Sequence, residues 1–326
     1  VILADRKLPM YNTEAELALS MNISVKQLRW LAFKPFTYPV IHYSRFQIAK
    51  KTGETRTIYA PKPYLKTAQI YILKNILDNL AVHDAAHGFR RHRSIITNAQ
   101  PHVGADIIIK LDLENFFSSI TYKHVQKLFL SLGYSQSIGT LLSLICTIKD
   151  VETCHPRCLP SGSPASPTIS NLVCYNLDQN LSQIASDLGF TYTRYADDLT
   201  FSGKRDRANI STLIKQLLAV IAQFGFKINP NKIQILPKSV RQEVTGIVVN
   251  HKLNISQTKL KAFRATLHQI EQDGLSGKKW GNSPNLIASI TGFSNYVAMI
   301  NPEKGGELLE SVERIKQKHI LNTPVL

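Results

Sequence analysis

Residues 105–117 read ADIIIKLDLENFF. Ile107, Ile108, Ile109 and Leu111 form a near-continuous apolar run rather than an alternating one. Such a run suits a strand buried on both faces at the centre of a sheet. It leads straight into Asp112, so the fold has to accept a carboxylate where its most buried strand ends. With 326 residues, 44% of them hydrophobic, the chain has ample material for a real core. That length is expected to divide into two or three subdomains around a shared cleft.

A second stretch, YTRYADDLTFSG (192–203), sets Asp197 and Asp198 side by side among strand-formers. Tyr192, Thr193, Tyr195, Leu199, Thr200 and Phe201 favour a pleated, half-buried surface, and the carboxylates fall at the tip of a hairpin-like segment. A lone Asp at a strand end ordinarily caps a turn. Asp112 and Asp197, 85 residues apart, both terminate strong strand patterns, and central strands of one sheet would bring them to one edge. Three carboxylates in one cleft repel unless cations neutralise them. Mg²⁺ accepts one or two carboxylates and keeps positions for water and substrate phosphates. Two such ions stabilise both the attacking and the leaving oxygens in phosphoryl transfer.

The charge balance points to the same partner. Lys and Arg outnumber Asp and Glu by 39 to 23, a net +16, which favours a polyanion such as nucleic acid. The excess is greatest between Arg45 and Lys110, with eleven Lys/Arg against four Asp/Glu. Four cysteines do not make a disulfide scaffold, and a reducing cytoplasm is the expected setting. The CHPRC stretch (Cys154, His155, Cys158) lacks the second matching pair of a zinc site. No apolar run approaches the roughly 20 residues that span a bilayer. No signal peptide is visible, although the chain opens on Val1 rather than Met.

Along the chain, TEAELALSMNISVKQLRWLAF reads as two short helices with Ser24 as an N-cap. The segment RFQIAKKTGETRTIYAP reads as a hairpin turning at Thr52-Gly53. A helix follows, with Ile70, Leu73, Ile76, Leu77 and Leu80 on its expected buried face. Helices are expected from Thr121 and near 137–147, then a Gly/Pro-rich turn feeding one long helix up to Gly189. After the Asp-Asp hairpin come a helix at 210–224, a strand FKINPNKIQIL, a strand pair EVTGIVVNHKLNI, and a mostly helical segment from 257 to 326.

The YADD of 195–198 resembles the catalytic hairpin of reverse transcriptases, and KLDLENFF resembles their first catalytic strand. LPSGSPASPTISNLV is similar to the family's template- and nucleotide-positioning turn and helix, GFKINPNKIQIL to its lysine-bearing motif, and RTIYAPKP and HGFRRHRSI to its fingers. The matches run in family order from about Arg45 to Val249. NAQPH (98–102) and VTG (244–246) resemble two signatures of the retron reverse transcriptases of bacteria.

The resemblance implies an α+β right hand with an antiparallel palm sheet. Its parts would be an N-terminal helical extension (1–42), fingers (43–105), a palm with connecting helices (106–250) and a helical, RNA-binding thumb (251–326). It implies RNA-directed DNA polymerisation from dNTPs with two Mg²⁺ ions. Asp112, Asp197 and, less directly, Asp198 would hold the metals, with the Leu113 carbonyl completing one site. Lys232 would stabilise charge or donate a proton at the leaving pyrophosphate. Arg56, helped by Lys50 and Lys51, would clamp the phosphates. Phe117 would exclude a 2′-hydroxyl, with Phe116 as a core partner. Ser161 and Gly162 would contact the nucleotide; Ser161 stands where the wider family has Gln, which removes an amide from that contact. Lys259, Lys261, Arg264, Lys278 and Lys279 would contact an RNA stem.

The partners implied are the chain's own structured non-coding RNA, its branched RNA–DNA product (multicopy single-stranded DNA, started from a guanosine 2′-hydroxyl), host ribonuclease H and an accessory effector protein in phage defence. The location implied is the bacterial cytoplasm, without a membrane. Rival readings are an intron-encoded or abortive-infection reverse transcriptase, and a non-catalytic polymerase-like RNA-binding protein. The first is expected to carry a splicing domain, where 80 residues follow Gly246 here; the second lacks NAQPH and VTG. The third gains nothing from clustered carboxylates facing a polyanion.

Overall fold

The structure is a computed structural model that describes residues 2–33, 42–49, 53, 55–149 and 156–321. Lys50, Lys51, Thr52, Cys154 and His155 lie outside the described residues. The chain divides into two compact units, one of 1–92, 109–201 and 206–234, the other of 93–108, 202–205 and 235–326. Helices combine with antiparallel strand pairs, as the α+β reading expects.

In the first unit, β1 (Tyr43–Ala49) and β2 (Thr55–Pro61) pair antiparallel, from Tyr43 opposite Pro61 to Ala49 opposite Thr55. The two helices expected near the N-terminus are Glu14–Ser20 and Val25–Ala32, after a short helix Ile2–Asp5. Ser24 caps the second by accepting from the Gln27 N–H, while the Gln27 side chain returns to the Ser24 N–H.

A four-stranded sheet follows the order β4 (Phe190–Tyr195), β5 (Asp198–Gly203), β3 (Ile107–Asp112), β6 (Gln234–Pro237). The apolar run of β3 therefore has a neighbour on each edge, and Ile107, Ile108, Ile109 and Leu111 are buried. Only two residues join β4 to β5, which makes them an antiparallel hairpin.

Three expectations are corrected. Of the face expected on this helix, Ile76 and Leu77 are fully buried just beyond its end, but within Pro63–Asn75 the buried residues are Leu65, Ala68, Gln69 and Ile72 while Ile70 and Leu73 are half-buried. A polar residue takes the inner position because its amide is fully used. The Gln69 Nε2 donates to the Tyr43 hydroxyl and the Ile145 carbonyl, both at 2.9 Å, and its Oε1 accepts from the Ser163 hydroxyl at 2.9 Å. The long helix after the Gly/Pro-rich turn is two, Ser166–Val173 and Tyr175–Asp187, interrupted at Cys174. The strand expected over FKINPNKIQIL shrinks to β6, because Pro230 lacks an N–H and opens a 3₁₀ turn, Pro230–Lys232, capped by the Asn229 side chain.

The second unit has its own core. The helices Gln257–Asp273, Leu286–Ile300 and Pro302–Leu321 bury Phe263, Leu267, Ile290, Val297 and Val312 against β7 (Glu243–Val244) and β8 (Ile247–Val248), with Ala99 and Ile108. Phe263, Trp280 and Phe293 form a mutual aromatic cluster with ring centroids 4.6–5.0 Å apart. Among the described residues, no helix is long and apolar enough to cross a membrane.

Gln69→Met keeps the volume and the helix propensity but strands the Tyr43, Ser163 and Ile145 polar groups. Each such group costs about 1–3 kcal/mol when left buried and unpaired. The substitution is expected to lower stability by at least about 2 kcal/mol, read from urea unfolding; a neutral result would mean the amide does not hold these partners.

Candidate active site

The end of β3 and the tip of the β4–β5 hairpin are tied by their main chains. The Leu113 N–H donates to the Asp197 carbonyl at 3.0 Å, and the Asn229 N–H donates to the Asp112 carbonyl at 3.0 Å. Asp112 and Asp197 thereby line one cleft of about 560 Å³, together with Arg56, Phe117, Ser161 and Lys232. That volume suits a small-molecule substrate. Asp198, the first residue of β5, is half-buried and does not line the cleft.

The hairpin tip is strained. Ala196 has a φ of +58°, a conformation usually left to glycine, as a two-residue hairpin requires. Lys232 reaches back from the 3₁₀ turn, its Nζ 2.8 and 2.9 Å from the two Asp112 carboxylate oxygens.

The other cleft residues sort by neighbour. Phe116 is buried and stacks on Phe226, whereas half-buried Phe117 lies against the exposed Phe89 at the cleft. The Ser161 carbonyl accepts from the Tyr59 N–H at 2.8 Å, which docks the turn onto β2. Gly162, at φ +119°, packs so closely that a Cβ would lie 2.8 Å from the Tyr59 carbonyl oxygen. Gly162 therefore sits beside β2 rather than lining the cleft, and Leu113 is a buried cleft residue.

In the second unit the two short signatures meet. The Asn98 Nδ2 lies 3.5 Å from the Thr245 hydroxyl, which itself donates to the Ile95 carbonyl at 3.2 Å, and the Tyr296 hydroxyl donates to the Gly246 carbonyl at 2.9 Å. His102 bonds the Ser202 hydroxyl. Of the expected RNA-contacting cations, Lys259 lies over the Phe293 and Tyr296 rings, Arg264 pairs with Glu307, and Lys278 pairs with Asp273. Lys261 and Lys279 are exposed.

Comparison with known proteins places this geometry. The family described as reverse transcriptase (RNA-dependent DNA polymerase) matches residues 48–271. The chain is 36% identical to the retron Mx162 reverse transcriptase of Myxococcus xanthus over 92% of its own length and 66% of that protein's. It is 34% identical to the retron Ec86 reverse transcriptase of Escherichia coli over 96% of its length and 92% of that protein's. The chain belongs to the retron reverse transcriptases. A further member, from retron Mx65 of Myxococcus xanthus, is 34% identical over 94% of this chain and 72% of its own.

Reverse transcriptases use divalent metal ions and deoxynucleoside triphosphates, and the donor set of this one fits such ions. Burial, and next the negative charge of Asp112, raise the Asp197 carboxyl above its ordinary range, although its own backbone N–H, Arg56 and Lys232 pull the other way. Burial and the Asp197 charge raise Asp198, partly offset by Lys110. The hydrogen bond to Asp112 raises the Lys232 ammonium. The carboxylates thus lack positive charge, and the ammonium already resting on Asp112 marks where a cation is favoured. Among the described residues no three His, Cys, Asp or Glu side chains form a ready-made cage. Two carboxylates beside room for water and phosphate is the donor set a hard divalent cation accepts.

Sequence reading missed the support behind this retron reverse transcriptase's hairpin. Arg194 and Asp178 are completely buried and paired at 2.6 Å. The available signal was an arginine inside a strand otherwise made of aromatic residues and threonines, where a buried charge without a partner is excluded.

An acid whose folded-state value is raised destabilises the fold once ionised. The stability is present below the ordinary value of 3.8 and is lost as pH rises through the raised value. In metal-free protein, Asp197→Asn is therefore expected to melt higher than wild type at neutral pH, with the gap closing as pH falls toward the ordinary value. Thermal melts in chelator across this range check it; a variant less stable than wild type at neutral pH contradicts the assignment.

Proposed function

We propose that this chain copies part of its own structured non-coding RNA into DNA, adding dNTPs in the cleft that Asp112 and Asp197 share. The observation that carries the reading is the meeting of these two carboxylates with Arg56 and Lys232 in one cleft of nucleotide size. Two Mg²⁺ ions, when bound, would stabilise the attacking and leaving oxygens. Asp112 and Asp197 would hold them, with the Leu113 carbonyl beside them and Asp198 supporting from β5. Arg56 would take the phosphates, since a planar guanidinium suits a polyphosphate. Lys232 would leave Asp112 for the developing charge on pyrophosphate. Phe117 would stand under the sugar and reject a 2′-hydroxyl.

In this reading 43–105 act as fingers, 106–250 as palm and 251–326 as thumb, after an N-terminal extension over 1–42. Exposed Lys261 and Lys279 are the better placed of the basic thumb residues for an RNA stem, because Lys259, Arg264 and Lys278 already have partners. The product would be a branched RNA–DNA, multicopy single-stranded DNA, trimmed by host ribonuclease H and held with an effector protein in a cytoplasmic phage-defence complex. The named retron relatives support the reverse-transcriptase part of this reading.

Two measurements test the chemistry. Asp197→Asn should abolish primer extension with Mg²⁺ and dNTPs while binding of the cognate RNA stays within about threefold, because the amide is isosteric but a poor ligand for a hard cation. Extension near the wild-type rate would refute the metal role. Phe117→Ala should raise the ratio of kcat/KM for rNTP over dNTP by about tenfold or more, the scale of one lost steric contact. An unchanged ratio would place the discrimination elsewhere.

A further inference from the structure

Arg194 is among the largest fully buried side chains of the protein, and it lies two residues before the left-handed Ala196. Its guanidinium is used on three sides. Nε and Nη2 donate to the two oxygens of Asp178 at 2.8 and 2.6 Å. Nη1 donates to the Asn171 side-chain oxygen at 3.0 Å and to the Ala196 carbonyl at 3.1 Å. The Tyr192 hydroxyl donates to Asp178 at 2.8 Å. Burial works against the arginine's charge, but the adjoining Asp178 carboxylate more than offsets it and keeps the group protonated.

The far side of the same turn is gripped as well. Asn171 donates to the Gly88 carbonyl at 2.9 Å, and Gly88 lies so near the hairpin tip that a Cβ would stand 2.7 Å from the Ala196 nitrogen. The main chain of Arg194 joins in, donating to Ala85 and accepting from His87. Ala196 is thus held at its carbonyl by Arg194 and closed off at its nitrogen by Gly88.

Stability alone does not call for this arrangement, since a buried ion pair is often no better than well-packed apolar side chains. A forked donor is needed to reach a carboxylate, an amide oxygen and a main-chain carbonyl at once, which an ammonium at one point cannot do. We propose that Arg194 is a positioning residue for nucleotidyl transfer: it fixes the left-handed turn at Ala196 and thereby the place where Asp197 faces Asp112. This rests on the reading of Asp197 as a reaction-site carboxylate.

The test uses the whole chain with two changes. Arg194→Met combined with Asp178→Asn removes the charge from both sides of the pair, leaves Tyr192 an acceptor, and deletes the donor to Ala196. Arg194→Lys keeps the charge but not the fork. Each is measured for thermal melting, for kcat and KM with dNTP, and for Mn²⁺ binding by titration calorimetry without nucleotide. The double variant is expected to melt some degrees below wild type, because the Asn171 and Ala196 oxygens lose their donor, yet to stay folded at the assay temperature, with kcat down about 10- to 100-fold, KM changed by less than about threefold, and Mn²⁺ bound about tenfold more weakly. A folded variant of either kind with wild-type kcat and Mn²⁺ affinity overturns the proposal. If neither variant folds, Arg194 is a requirement of folding and the proposal also falls. Asp197→Asn assayed alongside separates the two claims: an active Asp197→Asn defeats the underlying reading, whereas an inactive one beside a fully active double variant defeats only the role of Arg194.

Discussion

Arg194 and Asp178 meet without water, both side chains fully buried. Removing two ions from solvent costs several kcal/mol each, and their attraction repays it only when every remaining donor and acceptor is used. Here Tyr192, Asn171 and the Ala196 carbonyl take up most of them. Taking away one partner would leave an unpaired buried charge, at about 3–5 kcal/mol. The pair therefore ties the helix Tyr175–Asp187 to β4 and, through Asn171 and Gly88, ties the 85–88 segment to the hairpin tip. A strained turn at a carboxylate persists only where its surroundings over-determine it, and this network does so.

The cleft in front of that turn is built around an imbalance of charge. Asp197 and Asp198 are partly desolvated and each feels a neighbouring carboxylate's charge, with Arg56 and Lys232 offsetting only part of the cost at Asp197 and Lys110 and Lys232 only part of it at Asp198. A net +16 chain attracts a polyanion over its surface. The same polyanion would be repelled by bare carboxylates at the point of reaction, so added cations serve both needs: they relieve the acids and admit the phosphates. The ammonium of Lys232 on Asp112 is a partial answer supplied by the chain itself.

The second unit shows how short sequence signatures acquire meaning. Asn98 and Thr245 are 147 positions apart, yet their side chains approach each other, and Tyr296 closes the other side of the same turn through Gly246. The neighbouring cations are partly spent within the unit: Lys259 lies over two aromatic faces and Arg264 on Glu307. Counting positive charges along a helix overstates what is left for phosphate, because each internal partner must first be released.

Local chemistry was legible in the sequence. The apolar run before Asp112 required a central strand. The strand-formers around Asp197 required a hairpin. Ser24 as an N-cap required a helix start. Each depends on neighbours a few residues away, as do the order of the motifs and the family they identify. The buried face of Pro63–Asn75, the break at Cys174, the 3₁₀ turn that aims Lys232 and the partner of Arg194 were not legible. Periodicity counts Gln69 as a solvent residue until Tyr43, Ile145 and Ser163 are seen around it, and a buried arginine is excluded until Asp178 is seen beside it. The sequence by itself determined which carboxylates end which strands. Only the tertiary structure decided that Asp112 and Asp197 line one cleft while Asp198 stays outside its lining, because hydrogen-bond satisfaction and the cost of desolvation are set by groups far apart along the chain.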